Sequence, residues 1–345
     1  MQKFVSDYME GAHPNILKSL AEQNIDKYDG YGNDTISQSA KERIQKLIGK
    51  KDAEIYFLVG GTQTNETVIS TMLMPYQGVI AVNTGHINTH EAGAIEHGGH
   101  KVLTINGVDG KLSADKIDEY VSLFYKDSNH THEVFPGMVY ISFPSEYGTI
   151  YSKSELLDIR KVCDKYDMKL FIDGARLGYG LTCDECNVTI TDISDVADVF
   201  SIGGTKIGAL FGEAVVFPGP NTIQHFYTMI KTHGAMLAKG WLLGIQFDEL
   251  FKNDLYFTIS KNANTCASRI KNELIKRGRS FYIDSPTNQI FPIVSPEEAH
   301  ALDSKVSYGF METLPDGNLV IRFCTSWATT SEDVDKLLKI IDEVL

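Results

Sequence analysis

Short apolar runs alternate with helix-period segments along most of this chain, and that alternation limits its fold more than any other feature. AEIYFLV (Ala53 to Val59), GVIAVN, KVLTI, GMVYISF, MKLFID, ADVFSI and EAVVF are nearly unbroken stretches of apolar residues. Continuous hydrophobicity belongs to strands buried on both faces, whereas a sheet with one wet face alternates polar and apolar. Between these runs, Ser37 to Ile48 places Ala40, Ile44, Leu47 and Ile48 on one helical face and stops at Gly49. A helix is expected after GGTQTN as far as Met72, with others over Ser113 to Tyr125 and Ser154 to Tyr166. The expected fold class is therefore α/β, a three-layer arrangement with a mostly parallel sheet covered by helices.

After about Phe251 the pattern changes. A long helix over Leu255 to Arg277, stopped by Gly278, precedes short strands around Ile290, Gly309 and Ile321. A final amphipathic helix starts at Ser331, with Glu332 and Asp333 in its first turn, where the helix dipole favours acids. Residues 1–250 are expected to form an N-terminal segment and a large domain, and 251–345 a smaller C-terminal α+β domain.

Charge narrows the function classes. With 45 Asp and Glu against 32 Lys and Arg, the net charge is −13, a field that repels phosphate backbones and anionic membranes. No stretch approaches the roughly 20 apolar residues of a bilayer span, and MQKFVSDYMEG lacks the apolar centre of a signal peptide. Five scattered cysteines do not make a disulfide framework, so a cytoplasmic location is expected. Cys183 and Cys186 form a lone C-x-x-C, read as loop thiols rather than a redox or zinc pair.

Three segments carry candidate chemistry. Gly60 and Gly61, followed by Thr62 and a helix, would let a backbone approach an anion at a helix N-terminus. A tight turn needing glycine for its own geometry is the competing reading. Asp173 ends the apolar run MKLFID, at the carboxyl end of a strand where open α/β sheets bind ligands. Arg176 could partner it, or Asp173 could simply cap the next helix. Lys206 follows ADVFSI among Gly203, Gly204, Thr205, Gly208 and Ala209, small residues that suit an amine held against a flat cofactor. A desolvated lysine has a lowered pKa and forms a Schiff base readily.

The order of these segments resembles that of pyridoxal-phosphate enzymes of the aspartate-aminotransferase fold, with Asp173 about 110 residues after the glycine turn and Lys206 33 beyond it. The likeness is closer to the L-threonine aldolases of the β-eliminating lyase group. It rests on Ser6-Asp7, Tyr31-Gly32-Asn33-Asp34, Gly61-Thr62-Gln63-Thr64-Asn65, His86 with Glu91-Ala92-Gly93, and Asp173-Gly174-Ala175-Arg176. Thr205-Lys206, Thr287-Asn288 and Ile321-Arg322-Phe323-Cys324-Thr325 complete it.

The resemblance implies pyridoxal 5'-phosphate as cofactor, bound through Gly60, Gly61, Thr62, His86, Asp173, Arg176, Thr205 and Lys206. Lys206 would hold the aldehyde as an imine, Asp173 would keep the ring nitrogen protonated, and His86 would stack on the ring. Ser6, Tyr31, Arg176 and Arg322 would bind an amino-acid substrate, with Tyr31 reaching a neighbouring subunit of a homodimer or homotetramer. The implied reaction cleaves the Cα–Cβ bond of a β-hydroxy-α-amino acid such as L-threonine or L-allo-threonine. The alternative within the class is β-elimination or transamination.

The sequence also departs from the family pattern. Pro144-Ser145-Glu146-Tyr147-Gly148 stands where the family often has Thr-His-Asn-Gly, which makes Glu146 the candidate for handling the substrate hydroxyl, with a solvated loop residue as the plainer reading. Thr325-Ser326 replaces Thr-His, and Lys231-Thr232-His233-Gly234 with Lys239 only loosely echoes a basic stretch that reaches a neighbour's phosphate. HINTHEAGAIEHGGH invites a zinc-hydrolase reading through His86 and His90, but it is not H-E-x-x-H, and no metal is expected. A non-catalytic binding protein would have no reason to keep Lys206, Asp173 and Arg322 together.

Overall fold

The computed structural model describes residues 1–219 and 223–345. All seven apolar runs become strands of one sheet, in the order Glu54–Leu58, Glu213–Phe217, Val199–Gly203, Lys169–Asp173, Phe135–Ser142, Gln77–Val82 and Val102–Ile105. Only Glu213–Phe217 runs antiparallel to its neighbours; the other pairings are parallel.

Side chains alternate across a strand, so each strand feeds two separate cores. Ile80, Val82, Val139, Ile141 and Ile172 meet the helices Thr35–Ile48, Ala114–Lys126 and Lys153–Lys165 on one face. Val79, Ala81, Met138, Tyr140 and Phe171 meet Gly61–Met72 and Phe226–Thr232 on the other. Three layers follow, as the patterning requires.

Local signals set the helix ends. Gly49 closes Thr35–Ile48 in the left-handed region at φ 70, a conformation glycine adopts without strain. Ser152 and Glu155 form a capping box at the start of Lys153–Lys165. Leu47 is only half-buried, so Ser37 rather than Leu47 completes the buried stripe of Thr35–Ile48.

The C-terminal elements form as expected: helix Leu255–Lys276, strands Gln289–Ile290, Gly309–Thr313 and Leu319–Cys324, and helix Ser331–Val344. A third core gathers Ile270, Leu274, Ile321, Phe323, Leu337 and Ile341. Phe4 joins it from the N-terminus, where Gln2–Lys3 pairs with Val306–Ser307. No helix among the described residues is long and apolar enough to cross a membrane.

Candidate active site

Asp173 is in register with Ser142 at the carboxyl ends of two central strands. The period of two puts Asp173 on the face of Phe171, and Ser142 on the face of Tyr140. The helix Gly61–Met72 covers this face and supplies Asn65. Tyr140 donates its hydroxyl to Asp173 Oδ2 at 2.5 Å, and Asn65 Nδ2 donates to the same oxygen at 3.1 Å. The Ala175 N–H donates to Oδ1 at 2.9 Å. Burial alone would raise this carboxyl, but Tyr140, His86, the Ala175 amide and Asn65 together hold it below the usual carboxylate range. Asp173 is thus a buried carboxylate kept ionised. It caps no helix; Arg176 occupies that position for Leu177–Thr182.

From Asp173 the hydrogen bonds run on around the site. Asn65 Nδ2 also donates to Glu91 Oε1 at 2.7 Å, and that oxygen lies 2.7 Å from His86 Nδ1. A buried carboxylate behind the ring fixes which way His86 faces. The His86 backbone N–H donates to Glu146 Oε1 at 2.8 Å, and Ser142 Oγ donates to the same atom at 2.7 Å. Glu146 is half-buried, with its Oε2 shut off from solvent, and is not a solvated loop residue. Burial and the nearby Asp173 charge raise its pKa against the pull of these two donors. Its second oxygen, Oε2, has no partner among the described residues.

A cavity of about 320 Å³ opens between Asp173, His86, Glu146 and Lys206, with the Gly60–Gly61 turn at one end. A Cβ on either glycine would meet nothing within 4 Å. Gly60 is extended at φ −163, so the turn itself does not demand glycine. What the two glycines leave is open space above a helix N-terminus, which favours the anion reading over the geometric one. Lys206 has its ammonium pKa lowered by desolvation and the Arg176 charge, with Asp7, Asp173 and Glu213 opposing. Tyr179 anchors the Lys206 carbonyl at 2.6 Å. Thr205 Oγ1 accepts from the Gly212 N–H at 3.0 Å.

The expected pairing of Arg176 with Asp173 does not form. Arg176 instead grips Asp7 through Nε at 2.7 Å and Nη2 at 2.9 Å, because the N-terminal segment crosses the cavity's edge. Asn288 adds a third donor to Asp7 at 3.0 Å. Burial opposes ionisation, yet Arg176 and Lys206 bring the Asp7 pKa down to about 2.

A second cavity of about 610 Å³ shares His86, Glu146, Arg176 and Lys206 and adds Arg322 and His90. Arg322 sits on Leu319–Cys324, with Nη1 donating to Gln289 Oε1 at 3.0 Å and Nη2 to the Val5 carbonyl at 2.9 Å. Its Nε has no partner among the described residues. Ser6 is buried beside Asp7 and lines neither cavity. Tyr31 is 45% exposed, held at φ 64 with Lys231 5.0 Å over its ring, and lies apart from both cavities. Of the histidines in the segment behind the zinc alternative, His86 turns to Glu91, with the His90 ring 5.6 Å from its own, and His100 Nδ1 turns to the Gln77 carbonyl.

Tyr140, Ser142 and Glu213 escaped the sequence reading. The first two lie two residues apart at the polar end of an apolar strand, a period-two signal that was available. Glu213 opens the run EAVVF, opposite Leu58 and Gly203, and lines the first cavity. Burial and Asp173 push its pKa up to about 8, with Lys206 and Thr205 opposing.

Residues 3–274 match the model of the β-eliminating lyases. A threonine aldolase structure from Leishmania major is 39% identical, covers 99% of each chain and superposes with a TM-score of 0.94. The low specificity L-threonine aldolase of Pseudomonas aeruginosa is 28% identical across 100% of this chain and 98% of its own length. An aspartate aminotransferase mutant from Thermus thermophilus, at 12% identity over 100% and 92% of the two chains, shares the fold with a TM-score of 0.71.

Proposed function

This chain belongs to the β-eliminating lyase family, and we propose that it cleaves the Cα–Cβ bond of a β-hydroxy-α-amino acid, L-threonine or L-allo-threonine, to glycine and an aldehyde. One observation carries the reading: an ionised Asp173, a desolvated Lys206 and the open Gly60–Gly61 turn share a cavity that continues into one holding Arg322 and Glu146.

The cavity fits pyridoxal phosphate. The glycine turn leaves room for a phosphate, Asp173 offers a carboxylate to a protonated ring nitrogen, and Lys206 offers an amine to the aldehyde. His86, braced by Glu91, would lie on the ring, and Thr62, Thr205 and Arg176 would complete the cradle. When bound, this cofactor supplies an electron sink for the pair released at Cα.

The chain's own residues do the rest. Arg322 presents its unpartnered Nε and half-free fork to the substrate carboxylate, a geometry for which guanidinium is suited. Lys206, its ammonium pKa lowered, would accept a proton from the substrate ammonium and deliver one to Cα once the Cα–Cβ bond has broken. Glu146 Oε2 takes the β-hydroxyl proton, which lets the C–O bond become a carbonyl as the Cα–Cβ bond breaks. The aldehyde leaves, and protonation of Cα gives glycine. Asp7 keeps Arg176 in place, and Ser6, the residue before it, stands at the edge of the site. Tyr31 completes a neighbour's site in a homodimer or homotetramer, and the enzyme works in the cytoplasm.

A panel of amino acids assayed in parallel for aldehyde and keto-acid release tests the proposal. Aldehyde and glycine in equal amounts from threonine are expected. Keto acid as the main product would move the reaction to elimination or transamination.

A further inference from the structure

The C-x-x-C pair lies outside both cavities. Cys183 caps the C-terminus of the helix Leu177–Thr182, and the Cys186 N–H donates to the Cys183 carbonyl at 3.1 Å, closing a tight turn. A turn closed this way keeps its first and last Cα atoms within about 7 Å, which overlaps the roughly 4.4–6.8 Å that a disulfide requires. Cys183 Sγ donates to the Gly180 carbonyl and Cys186 Sγ to the Val188 carbonyl, each at 3.3 Å, and the Val188 N–H donates to Cys186 Sγ at 3.4 Å. Cys183 is buried, Cys186 is half-buried, and Asp184 and Glu185 between them are exposed. A groove of about 470 Å³ reaches Thr182, Cys183 and Asp184 from the surface.

We propose that Cys183 and Cys186 are a redox-active dithiol that exchanges with low-molecular-weight disulfides, with Cys186 as the attacking sulfur and Cys183 as the resolving one. The Cys186 thiolate attacks one sulfur of a disulfide RSSR; the S–S bond breaks, and RS⁻ departs with the electron pair and takes a proton. Cys183 then loses its proton and attacks the Cys186 sulfur of the mixed disulfide, which releases the second RSH. Two protein thiols are oxidised by two electrons while one RSSR is reduced to two RSH.

The division of labour follows the surroundings. The neighbouring Cys183 and the Val188 N–H, which donates to Cys186 Sγ at 3.4 Å, hold the Cys186 thiol down to about 7 against the opposing effect of burial, whereas Cys183, donating to the Gly180 carbonyl, is raised. The thiolate is the nucleophile, so the more exposed sulfur with the lower pKa attacks. Burial pushes the Cys163 and Cys324 thiols up to about 12, which makes them poor competitors.

The full-length holoenzyme is incubated with glutathione disulfide, alkylated, digested and mapped by mass spectrometry. Two of the five thiols should escape alkylation, in a peptide lighter by two hydrogens that links Cys183 to Cys186 and is restored by dithiothreitol. Cys183→Ser should trap glutathione on Cys186, whereas Cys186→Ser should leave Cys183 largely unmodified. Alkylation of all five thiols, or oxidation confined to Cys163, Cys266 or Cys324, would overturn the proposal. Glutathione trapped on Cys183 in the Cys186→Ser protein at the parent rate would reverse the assigned roles.

Discussion

Arg176 and Asp7, 169 residues apart, meet in two parallel hydrogen bonds of 2.7 and 2.9 Å at the rim of the cofactor cavity. The pair ties the N-terminal segment to the turn that follows Asp173. Lone buried charges are costly, so removing one partner should cost more than the pair contributes.

Asp7→Asn should therefore destabilise the protein by about 3–5 kcal/mol, read as a lower urea midpoint. Asp7 has its pKa brought from 3.8 to about 2 in the fold. Its contribution is complete above the unfolded value and fades as pH falls through the folded one. The deficit of the variant should then shrink between pH 4 and pH 2. A deficit independent of pH in that window would mean that the charge of Asp7 is not what matters.

The sheet was legible because seven buried strands leave seven apolar runs, and the carboxyl ends of those runs fall beside Asp173 and Lys206. The partners of the site residues were not legible. Arg176 reaches Asp7 and not Asp173 because the N-terminal segment folds back across the site. Asn65 reaches Glu91 and Asp173, and Tyr140 reaches Asp173, through contacts 26 to 108 residues apart in sequence. Local pattern names the residue that ends a strand, but only the packed layers decide which donor faces it.

Asp173→Asn tests the ring-nitrogen role. Asparagine keeps one acceptor, for either Tyr140 and Asn65 at the Oδ2 position or the Ala175 amide at the Oδ1 position, so some stability is lost but the fold should survive. Turnover should fall by about a hundredfold or more, roughly 3 kcal/mol of barrier, with an unchanged circular dichroism spectrum. Near-parent turnover would refute the role.

Arg322→Lys separates substrate binding from structure. Both Nη contacts of Arg322 are to neutral oxygens, Gln289 Oε1 and the Val5 carbonyl, so its charge is left for a substrate carboxylate. Lysine cannot make the forked contact. KM for threonine should rise by roughly tenfold or more, about 1.4 kcal/mol, while cofactor affinity stays put. A lower melting temperature with unchanged KM would assign Arg322 to the scaffold.

Glu213 should show itself in the cofactor-free protein. Its pKa is raised from 4.5 to about 8 in the fold, so the folded state keeps a proton that the unfolded state loses. Stability then falls as pH rises from 4.5 towards 8. Glu213→Gln removes that loss, so the variant should gain on its parent in melting temperature at pH 8 compared with pH 5. A difference that stays constant across the range would mean that Glu213 is ionised and balanced by Lys206.

Glu146 is the base we propose for the β-hydroxyl proton. Oε1 is occupied by the His86 amide and Ser142, and Oε2 is free beside both cavities. Glu146→Gln keeps an acceptor for those two donors but cannot take a proton. The variant should bind cofactor and amino acid normally, seen as an unchanged shift in visible absorption on adding threonine. Cleavage should fall by roughly a hundredfold to ten-thousandfold. In the parent, burial and Asp173 raise the Glu146 pKa above 4.5, so activity should drop on the acid side at a pH above that of an ordinary glutamate. The variant's residual activity should lack this acid limb. If the variant cleaves threonine at the parent rate with the same acid limb, the base is another group, and His86 is the next to replace.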